Sequence, residues 1–508
     1  MFLFNLGNTP KSPTLVESIK SWLKNEFVFL KLNSAFGYLL FLGMALSISY
    51  FVYQGGMNFS LSLFAVSVLI PLGISAMFHL RFGLYLILAV SFFLMGIKRI
   101  FPEEPIGAIL DIISILTIFG LFLKQIRIRD WRFTWNPVSL MILVWAAYNL
   151  FQLANPWARS TLAWFHTVRT SVGILFLFFV ALYAFKELRQ IKNWVGFWLG
   201  LATLGAFYGL YQEFGGLSQL ETDWLMASYE RFSQIYSMNM IRKFSFFSDP
   251  GIFGLTMGIS ALTGLVLLFQ PDIKLFQKLF VGFAMAIILI ALFYSGTRTA
   301  FIILPVGFVF YTLIRLKKNV IISAAIGLAI FAGLIFIPAE NPHLLRFQSA
   351  FHPSQSVSYN ERMENLAYIQ YHIQRHPIGS GLGSTGILAQ RFSPDTMLSQ
   401  FPPDSGFVRI AVETGWIGLI FYLGLILTIL ITGIRNYFQI KQPYLKGYQA
   451  AFISIIFALL LANFTQPALL ELPLVVIFII LSAFVVKVKE FDFSPGLPDF
   501  QKSEGPFQ

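Results

Sequence analysis

An arginine guanidinium carries five donors in a rigid planar fork and can hold a phosphate or carboxylate through two parallel hydrogen bonds. Two arginines of this chain sit where that property would matter. Arg242 lies in the run Met240-Ile-Arg-Lys-Phe-Ser-Phe-Phe-Ser-Asp-Pro-Gly-Ile-Phe-Gly254, and Arg298 in Ser295-Gly-Thr-Arg-Thr-Ala300. The second run reads as a tight turn between two apolar segments, which puts Arg298 at the start of a helix. Helix N-termini offer unpaired N–H groups and the positive end of the dipole, so a cation there is unfavourable unless an anion binds beside it. Asp404 follows Pro402-Pro403 and opens a further apolar segment, with Arg409 five residues on. A carboxylate in that place can take a proton from a hydroxyl or cap the helix, and both roles stay open.

Other candidates are weaker. His372 and His376 are four residues apart, the spacing of a two-histidine metal site, but no third ligand is evident and no Glu stands between them. They read as loop or interface histidines. Gly379-Ser-Gly-Leu-Gly383 lacks the preceding strand and the following Lys of a nucleotide loop, and reads as a flexible bend. Asp111 and Glu413 fall inside apolar segments, where a carboxylate serves either function or helix–helix bonding. Cysteine is absent, which excludes disulfides, thiolate metal sites and a Cys nucleophile.

The elements that must position these groups follow from composition. The chain has 508 residues, 56% of them hydrophobic and 12% charged, against roughly 25% charged in soluble proteins. Mean hydropathy is +0.71. This is the composition of an all-α polytopic membrane protein. Fourteen apolar segments are centred near residues 44, 68, 90, 115, 143, 178, 203, 260, 286, 306, 329, 419, 455 and 477, giving 12–14 spans. Phe82–Ile97 is short for a span and Gly406–Gly433 long for one. With the N-terminus inside, 23 of the 36 basic residues fall in inside loops, as the positive-inside rule asks. The formal net charge of +12 is then explained by anionic lipid rather than by nucleic acid. The outer set differs in kind: eleven of its basic residues are Arg, and its two lysines are Lys98 and Lys243. That bias suits an anion site, although arginines also anchor at the interface.

The organisation expected is a cytoplasmic amphipathic segment over 1–32, a bundle of about eleven spans over 33–338, a large periplasmic loop over 339–405, the last three spans over 406–487, and a cytoplasmic tail over 488–508. The loop holds His343, His352, His372 and His376. It is expected to fold in part: Ser358 and Glu361 have capping-box spacing, Leu366, Ile369 and Ile373 follow at helical intervals, and Pro377 stops that helix.

In order along the chain, Arg242…Asp249-Pro-Gly-Ile-Phe-Gly254, Ser295-Gly-Thr-Arg298, Asn360-Glu-Arg362…Arg375-His-Pro-Ile-Gly-Ser-Gly-Leu-Gly383 and Pro403-Asp-Ser-Gly-Phe…Glu413-Thr-Gly-Trp-Ile-Gly418 resemble the O-antigen ligase/Wzy-type polymerase superfamily of bacterial surface-glycan assembly. The motifs span residues 240–420; the first 230 residues match only as hydrophobic spans. The resemblance implies a dozen or so helices with an active site at the outer membrane interface. It also implies an undecaprenyl-diphosphate-linked glycan donor, an acceptor that is a glycan, lipid A core or protein, and inverting glycosyl transfer with no metal and no cofactor. By the same resemblance Arg242 and Arg298 hold the diphosphate. A family histidine assigned to the acceptor hydroxyl is replaced here by Asp404. Arg409, Arg375, His376, Arg362 and Arg159 are the candidates for substrate contacts.

The reading is therefore a glycosyltransferase of the bacterial cytoplasmic membrane with a periplasmic site. A transporter or flippase using Asp111 and Glu413 is the rival, and a structural or receptor protein comes third. The topology has a direct test. A reporter fused after Lys318 is expected to read cytoplasmic and one after Ser354 periplasmic; both reading the same side would overturn the span map.

Overall fold

The computed structural model describes residues 35–102, 104–237, 239–338, 340–351 and 357–493. The amphipathic N-terminal segment, His352 and the tail beyond residue 493 lie outside them. The chain divides into two units, 1–72 and 73–508, and the candidate site belongs wholly to the second. The described residues are almost all helical, with one two-stranded hairpin, Tyr236–Ser237 (β1) against Met240–Ile241 (β2). This is the all-α multi-pass membrane fold that the composition implies.

The helices are α1 (Ala35–Phe78), α2 (Leu80–Ile100), α3 (Gly107–Ile128), α4 (Pro137–Phe151), α5 (Thr161–Ala184), α6 (Leu188–Phe214), the short α7 (Gln219–Met226) and α8 (Tyr229–Ile235), α9 (Pro250–Leu268), α10 (Leu275–Ser295), α11 (Arg298–Arg315) and α12 (Lys318–Phe336). After these come α13 (Pro342–Gln348), α14 (Val357–Arg375), α15 (Gly386–Phe392), α16 (Gly406–Gln439), α17 (Pro443–Thr465) and α18 (Leu474–Lys487). Each of the fourteen expected centres falls in a helix. Two of them share α1, which breaks at Gly56. Eleven helices among the described residues are long and apolar enough to cross a membrane. The 14-residue α18 rises only about 21 Å, short of the roughly 30 Å core.

The interior spans are α9 and α17, with 89% and 83% of their apolar windows buried, whereas α12 has 11% buried and faces outward. The sequence of α9 explains its place. It is apolar all round, and Gly254, Gly258, Ala261 and Gly264 let neighbouring backbones approach closely. Its start is fixed by Asp249, whose Oδ1 accepts from the backbone N–H of Gly251 at 2.7 Å and Ile252 at 3.0 Å, with Pro250 at the first helical position.

The unusual length of α16 has a structural cause. The helix breaks at Gly415 (φ 73°, ψ 177°), which frees backbone groups that lipid cannot satisfy. The bend after α14 fills the gap. The N–H of Ser380 donates to Val412 O and that of Gly381 to Glu413 O, both at 2.9 Å, while Ile417 N–H donates to Pro377 O at 3.2 Å. The Tyr148 hydroxyl takes Thr414 O at 2.7 Å. A Cβ on Gly379 would lie 2.4 Å from Glu413 O, and one on Gly415 2.0 Å from Pro377 O, so only glycine fits at either place. The Gly379–Gly383 run is thus a docked insertion, not the flexible bend expected from its composition.

Around this joint the segment between α12 and α16 folds largely as expected. α14 ends at Arg375, two residues before Pro377, because a residue preceding proline disfavours helix. It begins at Val357, one residue ahead of the expected cap Ser358. Ile369 is buried with Leu398, Phe401 and Val412, and Ile373 packs on that cluster; Leu366 stays exposed. Tyr148→Phe deletes one donor to the break and is expected to cost about 1 kcal/mol, read as a lowered Tm in detergent. Gly415→Ala is expected to prevent accumulation of folded protein, measured by size-exclusion chromatography of membrane extracts.

Candidate active site

The turn between α10 and α11 is the centre of the site. Ser295 ends α10, Gly296 adopts a left-handed C-cap (φ 59°), and Thr297 precedes Arg298, the first residue of α11. Thr297 Oγ1 donates to Pro250 O at 2.6 Å. A Cβ on Gly254 would sit 2.6 Å from Ser295 Oγ, so the small residues of α9 seat this turn.

Arg242 reaches the turn from the end of β2. Its Nε donates to Ser295 O at 3.1 Å and a terminal N–H to Thr297 Oγ1 at 3.0 Å. Arg346, on α13, donates from Nε to Gly296 O at 2.8 Å and from a terminal N–H to Ser237 Oγ at 2.5 Å. Three guanidiniums therefore meet at one turn: Arg242, Arg346 and, at the head of α11, Arg298. Burial pulls Arg242 down to about 9, with the like charges of Arg346 and Arg298 adding to it and Asp249 opposing. Burial and Arg298 bring Arg346 to about 10. Both stay cationic at neutral pH, so the cluster concentrates positive charge where water is scarce. An anion beside such a cluster would relieve the repulsion between its guanidiniums.

Asp404 and Arg362 complete the rim. Arg362 Nε lies 3.8 Å from Asp404 Oδ2, and each side chain is 39% exposed, so the pair is worth at most about 1 kcal/mol. The charge of Arg362 also acts on Arg298, so α14 carries Arg362 between the guanidinium cluster and Asp404. The N-cap of α16 is Ser405, and Asp404 lies one residue outside it.

The remaining candidates lie elsewhere. Arg159 and His376 line a separate cavity of about 980 Å³ together with Trp157, His372 and Asp395. The two histidine rings stack at 4.0 Å, and His372 Nε2 is 2.7 Å from Ser380 Oγ. Arg375 stacks on Tyr371 at 4.1 Å. Arg409 turns inward: its Nε is 3.1 Å from Glu413 Oε1, and its NH1 4.0 Å from Glu471. Thr385 Oγ1 donates to the same Glu413 oxygen at 2.7 Å. Asp111 pairs with Arg169 at 3.1 Å. These two ion-paired sets line one interhelical cavity of about 320 Å³.

Sequence reasoning did not single out Arg346 or Glu471. Arg346 carried a signal, as one of the outer arginines. Glu471 had none, since it reads as a loop residue between two spans. Burial raises Glu471 to about 7 against the pull of Arg409, with Asp249 adding to the rise. A carboxyl raised in the fold contributes stability that is complete below its ordinary pKa and lost as pH climbs through the folded value. Tm is therefore expected to fall between about pH 4.5 and pH 7. Glu471→Gln is expected to flatten that slope, with the variant more stable than the parent above it in thermal scans across pH.

Comparison with known proteins gives the geometry a context. Residues 283–423 match the family model described as O-antigen ligase. No curated protein matches the chain. The matched stretch runs from α10 through the break in α16, and contains Arg298, Arg346, Arg362, Asp404 and the docked glycine run; Arg242 lies ahead of it. Over this stretch the chain is similar to the O-antigen ligase family.

Proposed function

We propose that the protein transfers a glycan from undecaprenyl diphosphate to an acceptor hydroxyl at the outer face of the bacterial cytoplasmic membrane, inverting the anomeric centre without a metal. The observation that carries this reading is the meeting of Arg242, Arg298 and Arg346 at the Gly296–Thr297 turn. In the transfer, the acceptor oxygen forms a bond to the anomeric carbon while the bond from that carbon to the diphosphate oxygen breaks. Negative charge grows on the departing lipid diphosphate. Fixed guanidiniums in a site poor in water stabilise that charge without reorganising at the moment of reaction. The acceptor proton passes to a carboxylate, and Asp404 fills that role: it is half-exposed, stands beside Arg362, and lies one residue outside the helix cap. The acceptor is a glycan, lipid A core or protein.

The rival transporter reading rests on Asp111 and Glu413. Each is ion-paired with an arginine, which favours a structural use of both.

Arg298→Ala and Arg242→Ala are expected to abolish surface-glycan transfer while the protein still accumulates in membranes, as seen by gel analysis of envelope glycans beside an immunoblot. Arg298→Lys is expected to be severely impaired, because a point charge cannot replace a planar two-pronged donor. Asp404→Asn is expected to keep its Tm and lose about 10²-fold or more in rate; Asp404→His is expected to regain part of it. Parent-like activity in Arg298→Lys would reduce Arg298 to an interfacial anchor, and in Asp404→Asn would remove Asp404 as the base.

A further inference from the structure

A second basic site lies at the other end of the bundle. Arg81 is in the first turn of α2, Lys124 and Arg127 are near the end of α3, and Lys186 lies between α5 and α6. These four line a pocket of about 560 Å³ with Phe78 and Tyr183. Lys124 Nζ donates to Phe78 O at 2.8 Å. Lys186 Nζ lies 5.5 Å from the centre of the Tyr183 ring, and the charges of Lys186 and Arg81 both act on Lys124. Among the described residues no carboxylate lines the pocket.

The pocket is remote from the guanidinium cluster. α2 rises about 30 Å over its length. Its far end carries Arg99, which donates to Ser245 O at 2.6 Å, three residues beyond Arg242. The two basic sites therefore sit a membrane thickness apart, and glycosyl transfer at one makes no use of the other.

Four cations drawn to one concavity repel one another, and an anion relieves that repulsion. The lining decides which kind of anion. Phe78, Leu80, Ile128, Tyr183 and Ala184 supply an apolar wall beside the charges, and the helices that form it run on into the hydrocarbon layer. A phosphate group that brings its own acyl chains satisfies both surfaces, whereas a free phosphate satisfies only one. We propose that the Arg81–Lys124–Arg127–Lys186 pocket binds the headgroup of an anionic phospholipid, with its acyl chains lying along α3 and α5.

The test uses the full-length protein purified in a neutral detergent. Thermal unfolding is followed with added phosphatidylglycerol, with phosphatidylcholine of the same chains, and with inorganic pyrophosphate. Phosphatidylglycerol is expected to raise Tm by several degrees, the other two to leave it unchanged. Arg127→Gln/Lys186→Gln alters two exposed side chains; it is expected to keep the lipid-free Tm and lose the phosphatidylglycerol shift. Arg189→Gln/Lys278→Gln, which removes one exposed and one half-buried charge outside the pocket, is expected to retain it. Should the first double variant fail to accumulate, Arg127→Gln alone is expected to weaken the shift. An equal shift from pyrophosphate would replace the lipid by a free anion and overturn the proposal. So would an equal shift from phosphatidylcholine, or a full phosphatidylglycerol shift in the pocket variants.

Discussion

A backbone carbonyl inside a bilayer has no water to turn to, and one end of the helix bundle is arranged around a place where that constraint is nearly broken. At Gly415 the helix α16 loses its ladder, and Val412, Glu413 and Thr414 each need a new donor. They find them in Ser380, Gly381 and Tyr148. Two of the three donors come from the segment between α12 and α16. Satisfying the break therefore nails that long segment to the bundle. Arg362 and Asp404 belong to the segment so fixed, as do His372 and His376 of the large cavity. Gln152 and Asn155 add side-chain donors to the carbonyls of Ile378 and Gly379, all between 3.0 and 3.1 Å. The joint is held from both sides.

Charge is distributed on the same economy. The half-buried Asp111 and the buried Glu413 each have an arginine at 3.1 Å. Removing Arg409 would leave the buried Glu413 carboxylate uncompensated at a cost of about several kcal/mol, so that pair behaves as structure. The arginines at the Gly296 turn are different. Arg242 and Arg346 spend their donors on neutral carbonyls and hydroxyls, which orient them without neutralising them. The hydrogen bonds keep the geometry of these two guanidiniums set in advance.

The precision of that turn comes from packing on α9. A glycine at 254 admits Ser295 and Thr297 to within contact of the helix backbone, and Asp249 caps the same helix five residues before that glycine. The turn after Arg242 is tied separately. Gln212 Oε1 accepts from the N–H groups of Phe244 and Ser245, and Arg99 donates to the carbonyls of Ser245 and Phe247. Arg99 also lies against the Trp224 and Phe244 rings, which contact each other. The short helices α7 and α8 thus serve to hold the approach to Arg242.

Some of this was legible in the residues themselves. Hydropathy is a local property, so every expected span centre lies in a helix, and the tight Ser295–Arg298 turn falls where its composition put it. Arg298 stood out because a cation clashes with a helix N-terminus, Arg242 because its run leads through Asp249-Pro-Gly251 into an apolar segment, and Asp404 because it follows two prolines at the start of another. Convergence is another matter, because it depends on where the chain returns. Arg242 meets Ser295 across 53 residues, and no periodicity records that closure. The same holds for Arg346, whose helix is only seven residues long. Glu471 acquires its character only from the cavity around it. The glycine run shows the limit most clearly. Composition alone describes freedom of the backbone, and the broken helix opposite, 266 residues from Tyr148 but only about 35 from the run, turns that freedom into a fixed set of hydrogen bonds.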